Sequence, residues 1–166
     1  KPRHVDYSLI NVVEVVESSF KILPVPKNVK IELNLNIDRE CYVRGDRIDL
    51  LRVVFNLCTN SVQAIGEKKG TIRINGSTVV TVDCKNEVSK NNQKNLNFLL
   101  EVIDDGMGMN NEVLSKVFEH YTTKKNGSGI GLMSTKRIVE QYGGDIVAES
   151  EENVGTKFSV YLPIQK

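Results

Sequence analysis

The chain has 166 residues, of which 40% are hydrophobic and 26% are charged. That length suits one domain with its own hydrophobic core, and the composition excludes disordered, collagen-like and disulfide-scaffold proteins. Lys and Arg number 22 against 21 Asp and Glu. Such a balance argues against a broad nucleic-acid-binding surface, which needs concentrated positive charge.

The cysteine pattern favours a reducing compartment. Cys41, Cys58 and Cys84 are far apart in the chain and show no C-x-x-C spacing, which predicts neither a disulfide framework nor a zinc site. No stretch approaches the ~20 apolar residues of a membrane span, and no apolar signal core follows the N-terminus. We therefore expect a soluble, cytoplasmic domain without direct membrane contact.

Apolar periodicity predicts the elements of the first 65 residues. Residues 5–23 carry apolar side chains at near-helical spacing and stop before Pro24, which predicts an amphipathic helix. Residues 30–37 alternate between apolar and polar, as expected of a strand, and a short strand at residues 42–43 ends at Gly45. Asp46 is a suitable N-cap for a long helix over residues 47–65 that ends at Gly66.

The second half of the chain predicts a hairpin, two helices and another hairpin. Strands at 71–82 and 97–103 are expected to be antiparallel neighbours, with a flexible hairpin insertion at 83–96. A nucleic-acid contact is the alternative for that Lys- and Asn-rich insertion. Helices follow at 111–118 and 129–142, and strands at 146–148 and 156–162 close the chain. This order predicts an α/β two-layer sandwich with a mixed, mostly antiparallel sheet and helices on one face.

A polar stripe runs along the otherwise apolar helix at residues 47–65. It comprises Arg52, Asn56, Asn60 and Gln63, spaced four, four and three residues apart. Amide oxygens at positions i and i+4 can ligate a hard cation such as Mg²⁺, and amide N–H groups can meet phosphate oxygens. The alternative is a polar face towards solvent or towards another subunit.

Two glycine clusters bracket a segment that can act as a lid. The first, at residues 104–109, follows an apolar strand and places the Asp104 carboxylate where it can accept from an exocyclic amine. The second, at residues 127–132, opens a helix whose N-terminal N–H groups form an anion site. Lys124 and Lys125 precede it as candidate charges for a polyphosphate. We expect residues 110–127 to form the lid, with a plain connecting loop as the alternative.

Five motifs occur in order along the chain. They are Asn56-Leu-Cys-Thr-Asn60, Asp104-x-Gly106-x-Gly108, Phe118-Glu119-His120-Tyr121, Gly127-x-Gly129-x-Gly131-Leu132 and Gly155-Thr156-x-Phe158. The set resembles the N, G1, F and G2 boxes and the closing strand motif of the catalytic, ATP-binding domain of bacterial sensor histidine kinases, in the GHKL superfamily. Residues 60–64 and 122–124 are most similar to the nitrogen-regulatory type. The resemblance implies a single domain over residues 1–166 with the Bergerat-type sandwich fold.

The resemblance also implies a site for ATP and Mg²⁺. By similarity Asn60 ligates the metal, Asn56 lies beside it at phosphate or metal, and Asp104 accepts from the adenine amino group. Gly106 and Gly108 let the base approach, Thr156 assists through water, and Lys124 is the expected lid cation, grouped with Asn56 and Asn60 as catalytic. The expected nucleotide-binding set is Asn56, Asn60, Gln63, Asp104, Gly106, Gly108, Met109, Lys124, Lys125, Gly127, Ser128, Gly129, Ile130, Gly131, Leu132 and Thr156. Two departures are Gln63, where many kinases carry lysine, and His120, where proline is frequent.

The residue at position 56 bears on the reaction. Gyrase and MutL ATPases of the same superfamily resemble one another in having a glutamate one turn before the metal-binding asparagine, where it activates water. An amide such as Asn56 is too weakly basic for that role, so the resemblance implies transfer of phosphate to a protein histidine. Neither His4 nor His120 has the setting of that acceptor, which implies a separate dimerisation domain as partner and a response regulator downstream. The alternatives are a non-catalytic module that binds a regulator protein and a slow hydrolytic ATPase.

Overall fold

The computed structural model describes residues 7–82, 94–119 and 130–165. These ranges contain seven strands and four helices. The helices are α1 (Val12–Ile22), α2 (Arg47–Ile65), α3 (Asn111–Ser115) and α4 (Ile130–Gln141). The strands are β1 (Ser8–Asn11), β2 (Val29–Asn36), β3 (Tyr42–Gly45), β4 (Gly70–Val82), β5 (Lys94–Asp104), β6 (Asp145–Glu151) and β7 (Gly155–Gln165).

The strands form one mixed sheet in the order β1-β3-β7-β5-β4-β2, with β6 also paired to β7. The pairing of β2 with β4 is parallel, while the pairs β4-β5, β5-β7, β6-β7, β3-β7 and β1-β3 are antiparallel. The pairing of β4 with β5 and the closing hairpin of β6 and β7 confirm the predicted antiparallel neighbours. The predicted two-layer, mostly antiparallel sandwich is confirmed.

The core lies between one face of the sheet and the layer of long helices. Leu57 of α2, Ile72 and Ile74 of β4, and Val102 and Phe158 of β5 and β7 are fully buried there. The opposite sheet face carries ion pairs instead, which include Lys157 with Glu101 and Glu149. This division between an apolar and a charged face follows the period-2 alternation of antiparallel strands.

Helix α2 has the bounds that the sequence predicts. The Asp46 carboxylate accepts from the N–H groups of Ile48 and Asp49, and the helix ends at Gly66, which has a φ of 65°. At its start, the Tyr142 hydroxyl donates to Asp49 Oδ2 at 2.6 Å. The Asp46 cap and the Tyr142 contact fix the start of the helix that carries the polar stripe, and Gly66 ends it.

The first predicted helix is partly wrong, because residues 8–11 form β1. Ile10 pairs with Val43 of β3, and this buries an edge position that helical periodicity cannot foresee. Asn11 then caps α1 by accepting from the N–H of Glu14 at 3.1 Å. The structure also corrects two smaller predictions. Residues 94–96, predicted as part of the insertion, extend β5 along β4, and α3 ends at Ser115 rather than at residue 118.

Candidate functional site

Asp104 ends β5 at the centre of the candidate site. Only 4% of its surface is exposed, and its carboxylate accepts from the Ser61 hydroxyl at 2.8 Å and from the Gly106 N–H at 2.9 Å. The Thr156 backbone N–H also donates towards it. A carboxylate held by donors from a helix, a loop and a neighbouring strand has a fixed orientation, which suits directional recognition of a ligand.

Burial raises the pKa of Asp104 above its ordinary value. The three hydrogen bonds from Gly106, Ser61 and Thr156 lower the pKa, and the nearby charge of Asp105 raises it further. The cost of removing the charged form from water is therefore the largest contribution.

Gly106 and Gly108 serve close packing of the backbone. A Cβ atom at Gly106 would lie 2.6 Å from the carbonyl carbon of Ala64, and one at Gly108 would lie 2.0 Å from the Glu151 carbonyl oxygen. Gly108 also has a φ of 66°, in the left-handed region. The Met107 N–H donates to the Ala64 carbonyl at 2.9 Å, so the loop is attached directly to the end of α2. The expected approach of a base to these glycines stays a prediction.

A hydroxyl pair holds the loop to the last hairpin. Thr156 is 5% exposed, and its Oγ1 atom lies 2.8 Å from Ser150 Oγ. Ser150 Oγ in turn accepts from the Met109 N–H at 2.8 Å. Thr156 and Met109, both expected in the site, are thereby brought to one place beside Asp104.

Asn56 connects α2 to the first turn of α4. Its Nδ2 group donates to the Gly131 carbonyl at 3.3 Å and to Thr135 Oγ1 at 3.2 Å, while Thr135 donates to the same carbonyl at 2.7 Å. Both N–H donors of the amide are engaged, so its oxygen is the atom that can meet a cation. Asn56 and Gly131, which are 75 residues apart, are thus neighbours as expected.

The other members of the stripe differ in exposure. Asn60 is half-buried like Asn56, whereas Arg52 and Gln63 are exposed. Leu132 of α4 is half-buried and packs against the core. The alternative of a polar face towards solvent therefore describes Arg52 and Gln63, whereas the two asparagines are partly shielded from solvent.

Several expected site residues lie outside the described residues. They are Lys124, Lys125, Gly127, Ser128 and Gly129, together with His120 and most of the insertion at 83–96. The predicted lid at 110–127 is described only up to residue 119, and nothing is described of the Ile130 side chain. The phosphate-binding roles assigned to these residues stay predictions.

Three serine and threonine residues of the site were missed by the sequence reasoning. Ser61, Thr135 and Ser150 each hold an expected site residue through a hydroxyl. Ser61 and Thr135 are fully buried. A hydroxyl at a core position of an amphipathic helix is the signal that could have found these two, because a buried hydroxyl needs a partner.

The oxygen donors of the candidate site suit a cation that is held mainly by the phosphates of a nucleotide and only in part by the protein. Within residues 7–82, 94–119 and 130–165, no group of three or more His, Cys, Asp or Glu could hold a metal ion. Mg²⁺ in nucleotide sites takes one or two protein oxygens together with phosphate oxygens and water. The half-buried amide of Asn60 fits such a site as a neutral oxygen ligand.

Residues 45–166 match the family described as histidine kinase-, DNA gyrase B- and HSP90-like ATPases. The match covers the polar stripe, both glycine clusters and the closing hairpin. The chain belongs to this family. ATP binding follows from membership of an ATPase family, and the resemblance read from the five motifs is confirmed; the nitrogen-regulatory type stays a prediction.

Sensor histidine kinases are among the relatives of this ATPase domain. The chain is 33% identical to the sensor histidine kinase ZraS of Klebsiella oxytoca, over 99% of the chain and 33% of the relative. It is 28% identical to sporulation kinase E of Bacillus subtilis, over 100% of the chain and 21% of the relative. The chain thus spans about a third or less of these kinases, which contain further domains.

Solved histidine kinase structures share the fold. The mycobacterial sensor histidine kinase MprB superposes with a TM-score of 0.75 at 20% identity, covering 96% of this chain and 98% of that one. The catalytic domain of histidine kinase ThkA gives 0.71 at 23% identity, covering 95% and 97%. Among the described residues, no helix is long and apolar enough to cross a membrane.

The raised pKa of Asp104 predicts opposite pH effects on binding and on stability. A carboxylate accepts from an amine and a protonated acid does so less well, so the affinity for a nucleotide whose amine donates to Asp104 should fall as pH falls through the raised pKa. The contribution of the Asp104 carboxyl group to the free energy of unfolding changes with pH in the opposite direction. It is fully present below the unfolded-state pKa and is lost as pH rises through the folded-state pKa.

Paired titrations measure both effects between pH 4 and 8. The affinity for ATP is followed by calorimetry, and the free energy of unfolding of the native chain is compared with that of Asp104→Asn, which cannot titrate there. We expect the native chain to gain stability relative to the variant on acidification while it loses affinity. A stability difference independent of pH would contradict the raised pKa.

Proposed function

We propose that this domain binds Mg-ATP and donates the γ-phosphate to a histidine on a separate helical dimerisation domain of a two-component sensor kinase. In this proposal Asp104 accepts from the adenine amine, and the loop at Gly106 and Gly108 forms the wall beside it. Asn60 would hold Mg²⁺, which would neutralise charge on the phosphates when bound. The phosphorylated kinase would pass its phosphate to a response regulator, and the domain would act in the cytoplasm.

The chemistry and the hydrogen bonds of Asn56 support phosphate transfer to a protein over hydrolysis of ATP. Its amide donates twice to α4 and occupies the position where hydrolytic relatives are expected to carry a glutamate. No proton can be taken from water by this group at neutral pH. The domain therefore supplies positioning and charge stabilisation, which are the main protein contributions to phosphoryl transfer. The lid lysines Lys124 and Lys125 are the proposed further phosphate contacts.

Two measurements test the proposal. Calorimetric titration with a non-hydrolysable ATP analogue, with and without Mg²⁺, should show binding that is stronger with the metal. Incubation with ATP labelled at the γ-phosphate should then label the helical histidine-bearing domain of the parent kinase in trans, and should leave this chain itself unlabelled.

The same measurements separate the alternatives. Binding without any labelling of the acceptor domain would favour a non-catalytic module that binds a regulator protein. Steady release of phosphate without an acceptor would favour a hydrolytic ATPase. No response to adenine nucleotide at millimolar concentration would overturn the proposal.

A further inference from the structure

The Ser61 hydroxyl donates to Asp104 Oδ2 from the middle of α2. We propose that Ser61 is a positioning residue that orients this carboxylate towards the C6 amino group of adenine and so sets the preference for adenine nucleotides over nucleotides with a C6 carbonyl. The inference rests on the proposed function, because it takes the bound base to lie at Asp104. It assigns specificity to a residue one position beyond the proposed metal ligand Asn60.

The hydroxyl of Ser61 is committed to this long-range partner. Ser61 and Ser19 are both fully buried serines within helices. Ser19 donates to the carbonyl of Val15 four residues earlier, at 2.8 Å, which is the usual local choice for a helical serine. Ser61 instead donates at 2.8 Å to a carboxylate 43 residues away. Its role is therefore tied to Asp104 rather than to its own helix.

The hydrogen bonds at Asp104 leave a specific place for a ligand. A carboxylate has about four acceptor sites on its two oxygens. Oδ2 accepts from Ser61 and Oδ1 from the Gly106 N–H, with a further donor from the Thr156 backbone. These donors use three of the four sites. Counting the donors in the described parts of the chain, one acceptor site remains, and it suits a single N–H of an exocyclic amine.

Among the described donors to Asp104, Ser61 is the one that acts through its side chain, and it belongs to a rigid element. It lies in a helix of 19 residues that is capped at both ends, whereas the Gly106 donor belongs to the loop after β5. Without the serine, Oδ2 loses its helix donor and the carboxylate can rotate or take up a proton. A rotated carboxylate no longer directs its free acceptor site at the C6 amine, and a protonated one can donate to a carbonyl oxygen at C6. Loss of Ser61 should thus lower the affinity for the amine-bearing base more than for its carbonyl counterpart.

The test compares ATP with inosine triphosphate, which carries a carbonyl oxygen at C6. Equilibrium titrations with Mg²⁺ are made on the native chain, Ser61→Ala, Ser61→Cys and the matched control Ser19→Ala. Ser19→Ala removes an equally buried serine hydroxyl elsewhere in the helix layer. Ser61→Cys keeps a side chain of similar size but offers only a weak donor. Thermal unfolding monitors the fold of every variant.

We expect Ser61→Ala to bind ATP about tenfold more weakly while its affinity for inosine triphosphate changes by less than about threefold, since hydrogen bonds to charged groups are the strong ones. The loss of ATP affinity in Ser61→Cys should lie between zero and the loss in Ser61→Ala. Ser19→Ala should keep the native ratio of the affinities for ATP and inosine triphosphate. Equal losses for both nucleotides, or no loss, in both Ser61 variants would overturn the inference while leaving the proposed function in place. Binding of neither nucleotide by the native chain would overturn the proposed function and the inference with it.

Discussion

Replacing Asp104 with alanine is expected to lower the affinity for ATP by roughly 100-fold, the size expected when a buried charged acceptor is lost from a binding site. The carboxylate is 4% exposed and is held by donors from a helix, a loop and a strand, so the substitution removes an oriented acceptor. The substitution also leaves the Ser61 hydroxyl and the Gly106 N–H without their acceptor. Calorimetric titration with an ATP analogue measures the loss.

Asp105→Ala is the matched control for this substitution. Asp105 is the adjacent carboxylate, but it is exposed and accepts from the Thr71 N–H at 2.8 Å at the start of β4. Because Asp105 bonds to the start of β4 and has no assigned role at the base, we expect its removal to leave ATP affinity within about threefold. Equal losses from Asp104→Ala and Asp105→Ala, with the fold intact by circular dichroism, would remove Asp104 from the proposed base-binding position.

Asn60→Ala is expected to abolish the part of ATP affinity that depends on Mg²⁺. Because the donor set around α2 offers amide oxygens and no carboxylate cluster among the described residues, the loss of one amide ligand removes a large share of the protein's hold on the metal. Labelling of an acceptor domain in trans should fall by about two orders of magnitude, since charge on the phosphates would be less well stabilised. Titrations with and without Mg²⁺ should then give the same affinity.

Thr59→Ala provides the control for Asn60→Ala on the same helical turn. Thr59 is exposed, precedes Asn60 directly and lies off the polar stripe of α2. Its removal should leave the Mg²⁺ dependence unchanged. A native-like response to Mg²⁺ in a folded Asn60→Ala variant would show that the metal is held elsewhere and would move the proposed ligand away from α2.

The sequence by itself determined the elements whose residues obey local rules. The bounds of α2 follow from the Asp46 cap and the glycine at position 66, and β2 follows from alternation of apolar and polar side chains. The five ordered motifs were sufficient to identify the ATPase family and to name Asp104 and Asn60 as candidate ligands. Periodicity, capping and motif spacing act over a few residues, so they can be read without a structure.

The tertiary structure decided the contacts between residues that are distant in the chain. Strand β1 exists because Ile10 pairs with Val43, although residues 8–11 continue an apolar pattern suited to a helix. The bonds of Ser61 to Asp104 and of Asn56 to Thr135 join positions 43 and 79 residues apart. The sequence shows that a buried hydroxyl needs a hydrogen-bond partner. Which acceptor lies within reach is determined by the packing of helix against sheet, because the distance between the hydroxyl and an acceptor depends on the whole fold.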